Sequence, residues 1–238
     1  MTGTIFYIDG LNFYYGAVKR TPNKWIDFEK VARLLVPGDK IERINYFNAI
    51  VKPSFPGDRA HERQNAYLRA VEANPLIVVH RGHFRSDIKW RGLADHRHPV
   101  RDLLSPALRP HFVADRMYRS SVKKRSKPYS SARVVINEEK CSDVNLATHL
   151  VYDALKGNCS KAIVITNDGD LVEPIKIAVA EGVEVGIVNP HQCAPNRKLL
   201  VAASFPVPFR REAMAKCQLP PTVVAKSGRQ IHKPKEWA

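Results

Sequence analysis

Ile5-Phe6-Tyr7-Ile8-Asp9-Gly10-Leu11-Asn12 is the stretch whose reading decides the fold. Its four consecutive large apolar residues show no polar alternation, which is the pattern of a strand buried on both faces of a parallel sheet. An acid and a glycine follow at once, where such a strand turns toward a helix. The same order recurs at Ala162-Ile163-Val164-Ile165-Thr166-Asn167-Asp168-Gly169-Asp170. In an open parallel sheet ligands gather outside the carboxyl ends of the strands, so Asp9, Asp168 and Asp170 are expected to face one crevice.

A third string, Glu138-Glu139-Lys140-Cys141-Ser142-Asp143, adds Asp143 at the start of a helical pattern. Carboxylates held together raise each other's pKa and call for a neutralising charge. A hard cation that prefers carboxylate oxygen and water, Mg²⁺ or Mn²⁺, answers that need. Each acid also has a plainer reading. Asp9 with Asn12 fits a helix cap, the Asp168 and Asp170 pair fits an Asx-type turn, and Asp143 favours the positive end of a helix. Glu138 and Glu139 are distinguished only by strand parity. Asp153 lies ten residues beyond Asp143, roughly 15 Å along a helix, and is expected to stand apart from the site.

Outward from these strings, strand and helix patterns alternate. Residues 11–18 read as a short helix or turn, 26–35 as an amphipathic helix with Asp27 in its first turn, and 41–51 as a strand. Residues 61–73 read as a helix and 76–79 as a buried strand. Ser142 is expected to cap a helix with an inner stripe of Asp143, Ala147, Leu150, Val151 and Ala154, stopped by Gly157. A helix over 171–181 and a strand over 183–188 complete the series. The alternation argues for a parallel sheet.

Between 81 and 133 the pattern breaks at Pro99, Pro106, Pro110 and Pro128, so this segment is expected to be an insertion, with a hairpin ending over 132–136. Residues 205–238 carry five prolines and are expected to form a mobile basic tail, which leaves 1–204 as the domain.

Charge sorts the same way. The chain of 238 residues has a formal net charge of +15, of which the insertion holds +10 and the tail +5, while the remaining 17 basic and 17 acidic residues cancel. Segregation of this kind suits binding to a polyanion. Lys123, Lys124, Arg125 and Lys127, with Tyr118 and Tyr129 nearby, are candidates to contact phosphates and stack bases, and a solvated loop is the plain alternative. His80, His83, His96, His98 and His111 lack accompanying cysteines, which favours structural or RNA-contacting roles over a zinc site. Neither a Gly-x-Gly-x-x-Gly nor a Walker A string occurs, which disfavours a nucleotide cofactor. Cys141, Cys159, Cys193 and Cys217 form no Cys-x-x-Cys pair and are expected to be reduced thiols. The sequence offers neither a signal peptide nor an apolar run long enough to span a membrane, so the expected location is cytoplasmic.

Three ordered strings together resemble the NYN family of PIN-like nucleases: Ile-Asp-Gly-x-Asn at 8–12, Glu-Lys-x-x-Asp-Val-x-Leu-Ala at 139–147, and Thr-x-Asp-x-Asp at 166–170. The resemblance covers residues 3–80 and 134–190. It implies a three-layer α/β/α, PIN-like (Rossmann-like) fold around a mainly parallel sheet, and metal-dependent hydrolysis of RNA. In that reading Asp9, Asp143, Asp168 and Asp170 hold Mg²⁺ or Mn²⁺, Asn12 and Thr166 orient ligands or phosphate, and Glu139 adds an outer carboxylate. The chain departs from many relatives at His149, where they carry an acid. One branch of the family is credited with hydroxylation of a pyridine compound, so a small-aromatic hydroxylase is a rival reading, as is a non-catalytic RNA-binding module.

Overall fold

The computed structural model describes residues 3–51, 53, 57–92 and 131–237. It divides into two compact units, Met1–Phe84 with Glu139–Ala238, and Arg85–Glu138. Seven strands form one sheet in the order β4-β3-β2-β1-β5-β6-β7. They are β1 (Thr4–Asp9), β2 (Ile41–Ile50), β3 (Ile77–Gly92), β4 (Ser131–Lys140), β5 (Lys161–Ile165), β6 (Glu184–Val188) and β7 (Phe205–Pro206). From β3 through β7 the neighbours pair in parallel. The distal part of β3 and most of β4 belong to the second unit.

Every residue of β1 is buried, as its uninterrupted apolar run requires. Its side chains feed two separate cores. Phe6 and Ile8 join α2 (Phe28–Leu35) and α3 (Ala60–Val71) on one face. Ile5 and Tyr7 join α4 (Ser142–Leu155), α5 (Val172–Ala180) and α6 (Arg197–Ala202) on the other. Helices therefore cover both faces of a mostly parallel sheet; the alternation pointed to the sheet, and the layers on either side are compatible with a three-layer α/β/α fold. α2 shows how locally this is written: Asp27 accepts hydrogen bonds from the Glu29 and Lys30 amides, and Phe28, Val31 and Ala32 form the buried stripe.

Two expectations are corrected. The N-cap of α4 is Cys141, in a left-handed conformation at φ 79°, and Ser142 is its first, buried helical residue. The buried stripe is Ser142, Leu146, Leu150, Asp153 and Ala154, rotated from the predicted one so that Asp143 stands half-buried at its edge. The stripe reading failed because it took Asp143 as the acid on the inner face, whereas the acid that is buried there and paired is Asp153.

The C-terminal stretch is not a loose tail. Met214, Cys217 and Ile231 are buried in the core that contains α2 and α3. The Asp27 amide donates to the Cys217 carbonyl at 2.9 Å and the Leu219 amide to the Trp25 carbonyl at 2.8 Å. The Trp25 indole donates to the Pro220 carbonyl at 2.8 Å. A short hairpin of β8 (Thr222–Val224) and β9 (Gln230–His232) follows, and the Trp237 ring lies 6.2 Å from that of Trp25. Prolines and lysines hid this because the anchoring residues are single plugs with no helical or strand period.

Candidate functional site

The strand order explains where a site must form. From β1 the chain steps to β2 and β3 on one side, then returns to place β5 on the other side of β1. Between β1 and β5 the succession reverses, and the loops beyond their carboxyl ends diverge and leave a crevice. Ile8 pairs with Ile165, so Asp9 and Thr166 leave their strands side by side.

Asp9 is 4% exposed and is held from both sides. One oxygen accepts from the Asn12 amide at 2.9 Å, capping the short helix α1 (Gly10–Phe13). The other accepts from the Thr166 hydroxyl at 2.9 Å. Gly10 is required here: a Cβ at that position would stand 2.5 Å from the Phe47 carbonyl oxygen, so only glycine lets this turn press against β2. Thr166 Oγ1 in turn accepts from the Asp168 amide, and Asp168 accepts from the Asp170 amide at 3.0 Å, capping the turn Gly169–Leu171. The plain reading of Asp9 and Asp168 as caps is thus correct as far as it goes, and the caps are what fix both carboxylates toward the crevice.

Their electrostatics go further than capping requires. Burial raises the Asp143 carboxyl from 3.8 to about 7, and Asp9, Glu139, Asp168 and Asp170 add to the shift in that order. Burial and, more weakly, Asp9 raise Glu139 against the nearby Ser142 hydroxyl, which lowers it, and its buried Oε1 meets no donor in hydrogen-bond geometry. Burial also raises Asp9, against the hydrogen bonds from Asn12 and Thr166 that lower it. Five carboxyl groups from four strand ends or helix starts therefore share one field. Among the described residues no three His, Cys, Asp or Glu side chains are already gathered around a point that would hold a metal ion.

Parity separates the two glutamates: Glu139 belongs to this field, while Glu138 is bonded to Lys89 at 2.8 Å. Asp153 stands apart as expected. Its oxygens accept from Tyr7 and Asn158, each at 2.7 Å, and from Arg43. Burial pulls this carboxyl up, but the bonds from Arg43, Asn158 and Tyr7 hold it below the usual range. His149 is part of a ring cluster, 4.2 Å from His80 and 5.8 Å from Phe47 between centroids. Burial, then His149 and Arg43, lowers His80 to about 4. Lys123, Lys124, Arg125, Lys127, Tyr118, Tyr129, His96, His98 and His111 lie outside the described residues.

Sequence reading missed the polar wall on the β6 side. The side-chain oxygen Oδ1 of Asn12 accepts from the Asn167 backbone amide at 3.1 Å, so the His191 Nε2 atom 2.9 Å away must donate to the same oxygen. Burial keeps the His191 imidazole below its ordinary pKa, partly opposed by Asp9. The Asn167 side chain accepts from the Asn196 amide at 2.7 Å, which ties the start of α6 to the crevice. His191 follows the apolar run ending at Val188, so the strand-end rule that found Asp9 and Asp168 also points to it.

Among curated proteins, the chain is similar to the 6-hydroxy-3-succinoylpyridine 3-monooxygenase HspA of Pseudomonas putida (strain DSM 28022 / S16), with 27% identity over 259 residues that cover 98% of this chain and 75% of that protein. No family model matches. Among solved structures, a protein of unknown function from Vibrio parahaemolyticus RIMD 2210633 aligns over 88% of this chain and 94% of its own, with a TM-score of 0.45 and 13% identity, a likeness too slight to bear on fold or function.

Proposed function

We propose that this chain is a PIN-like, metal-dependent ribonuclease of the NYN type, with the crevice between β1 and β5 as its active site. The observation that carries the reading is the gathering of carboxyl groups around the half-buried Asp143, which burial first, and then Asp9, Glu139, Asp168 and Asp170, drive toward the protonated form. Such a field is costly unless a cation replaces the protons. An all-carboxylate donor set, with a buried Glu139 oxygen that meets no donor in hydrogen-bond geometry, fits a hard ion such as Mg²⁺ or Mn²⁺. Asp9, Asp143, Asp168 and Asp170 would hold it, with Glu139 outside them. When bound, the ion supplies a water of lowered pKa and charge stabilisation at the attacked phosphate. Thr166 and Asn12 fix the direction of the Asp9 oxygens and of the Asn167 loop. His191, neutral and donating through Nε2, holds the far wall in place. Lys123, Lys124, Arg125 and Lys127 would receive the RNA backbone.

Purified protein with Mn²⁺ and labelled single-stranded RNA tests this. Cleavage should be lost in Asp9→Asn and Asp168→Asn while both variants keep the native circular dichroism. An Asp168→Asn protein that cleaves at the native rate sinks the assignment.

A second reading, hydroxylation of a small aromatic ring, is favoured by the likeness to the monooxygenase, which extends over nearly the whole chain. That reaction takes one oxygen atom from O₂ into the ring and reduces the other to water with two electrons from a reductant. Incubation with a hydroxypyridine, O₂ and a reduced nicotinamide or flavin, followed by mass spectrometry for a gain of one oxygen, separates the two readings.

A further inference from the structure

A second cavity of about 210 Å³ lies on the α2 and α3 side of the sheet and has a different character from the acidic crevice. Its walls include the rings of Tyr14, Phe28, Tyr46, Tyr67, Phe84 and Trp237. The rings hold one another in a scaffold: Phe28 and Tyr46 are 4.6 Å apart between centroids, and Tyr67 meets Tyr46 and Trp237 near edge-on at 6.4 and 6.1 Å. An apolar cavity of about 150 Å³ accommodates benzene. This one therefore suits a single six-membered ring with a substituent of a few atoms, and it is too small for two stacked bases.

A packing defect would be purely apolar, and this cavity is not. Lys24 and Arg63 line it, and no carboxylate does. The Arg63 side chain is largely covered, and its partner Glu236, on the surface, is 3.4 Å away, a loose contact that an anion inside the cavity can replace. Lys24 makes no ion pair among the described residues. The buried Tyr46 phenol accepts from Asn48 Nδ2 at 2.7 Å, which leaves its own hydrogen to donate to an acceptor. Flat aromatic walls, an unused phenol donor and two cations at the rim describe one ligand chemistry.

We infer that this cavity binds a planar six-membered heteroaromatic ring carrying an anionic group, with the ring among Tyr14, Phe28 and Tyr46 and the anion at Arg63 and Lys24. The inference is independent of the nuclease reading of the acidic crevice, and its free-acid form is tested by binding alone, without the turnover that the hydroxylation reading requires. Two sources share the chemistry: a free small aromatic acid, and a pyrimidine nucleotide with its base inserted and its phosphate at the rim.

Trp237 lines the cavity and Trp25 lies next to it, so tryptophan fluorescence reports occupancy. The full chain, with chelator present, is titrated with nicotinate, with uridine monophosphate, and with cyclohexanecarboxylate as a non-planar control. Saturable quenching by nicotinate alone assigns the site to free aromatic acids, and quenching by the nucleotide alone or by both assigns it to nucleotides. In each case cyclohexanecarboxylate should bind at least about tenfold more weakly. Arg63→Gln should weaken the binding by about tenfold or more, the loss of one charge-assisted contact. Arg63→Lys should recover part of it, and Lys24→Gln provides a second variant should Arg63→Gln disturb the fold. Asp168→Asn, which removes cleavage under the proposed function, should leave this binding unchanged. No quenching by either aromatic probe at millimolar concentration, equal binding of the control, or unchanged affinity in both Arg63→Gln and Lys24→Gln would overturn the inference.

Discussion

Asp143→Asn should stabilise the metal-free protein and destabilise it once Mn²⁺ is present. In the folded chain burial and the neighbouring carboxylates push the Asp143 carboxyl up from an ordinary 3.8 to about 7. Each factor of ten in proton affinity corresponds to about 1.4 kcal/mol, so an ionised Asp143 would cost about 4 kcal/mol if fully desolvated. The side chain is only half-buried, and solvent screening reduces this to about 2 kcal/mol. The folded state holds this proton more tightly than the unfolded one does. Below pH 3.8 both states keep it and nothing is lost. As pH rises toward about 7 the unfolded chain ionises first and stability falls, and above that pH the deficit is constant. Asparagine removes the deficit. For a chain of this length about 2 kcal/mol corresponds to a Tm rise of about 4–8 °C. The assay is thermal unfolding of wild type and Asp143→Asn in chelator, at pH 8 and again near pH 4, where the two curves should converge. Repeating the pH 8 scans with Mn²⁺ at about a hundred times its Kd should stabilise only the wild type, by about 2.7 kcal/mol, and so reverse the order. If the variant gains nothing at pH 8 in chelator, or gains equally at both pH values, the carboxylates do not crowd as described.

Asp153→Asn should lower Tm by about 4–8 °C at pH 7, because removing one partner of the buried Arg43 pair costs about 2 kcal/mol when the arginine remains partly solvated. The loss should fade in acid as pH falls through the depressed Asp153 value, and RNA cleavage should persist; a loss of cleavage in a folded variant would place Asp153 in the site. Truncation after Ser204 removes the buried Met214, Cys217 and Ile231, worth about 1.5–3 kcal/mol each, and exposes Trp25 beneath them. The shortened chain should show no cooperative melt, and one that melts within a few degrees of the full chain would restore the idea of a dispensable tail. Replacing Lys123, Lys124, Arg125 and Lys127 with Ala should flatten the dependence of log affinity for single-stranded RNA on log salt by about two to three, at about 0.7 per phosphate contact. An unchanged slope would move RNA capture elsewhere.

Residue order alone carried the parallel sheet and the positions of its ligand-facing ends. An unbroken apolar run such as 5–8 has few stable environments other than a doubly covered strand, and an acid directly after it has few places to go but the end of that strand. The places of Asp9 and Asp168 were legible for that reason, and the separateness of Asp153 from helical rise over the ten residues beyond Asp143. What the tertiary structure decided depends on contacts across long separations. Parity in β4 sends Glu139 to Asp9 and Glu138 to Lys89, a choice that nothing in the string Glu-Glu reveals. Burial of Asp153 turned the face of α4, because Tyr7 and Arg43, far away in sequence, satisfy a charge that hydrophobic periodicity would place outside. His191 reaches Asn12 across 179 positions of chain, and the C-terminal stretch is fixed by isolated plugs and backbone bonds to residues 25–27. Periodicity reports neighbours three or four residues apart on a helix or two apart on a strand. It is silent about partners brought together only when the sheet closes its order around β1.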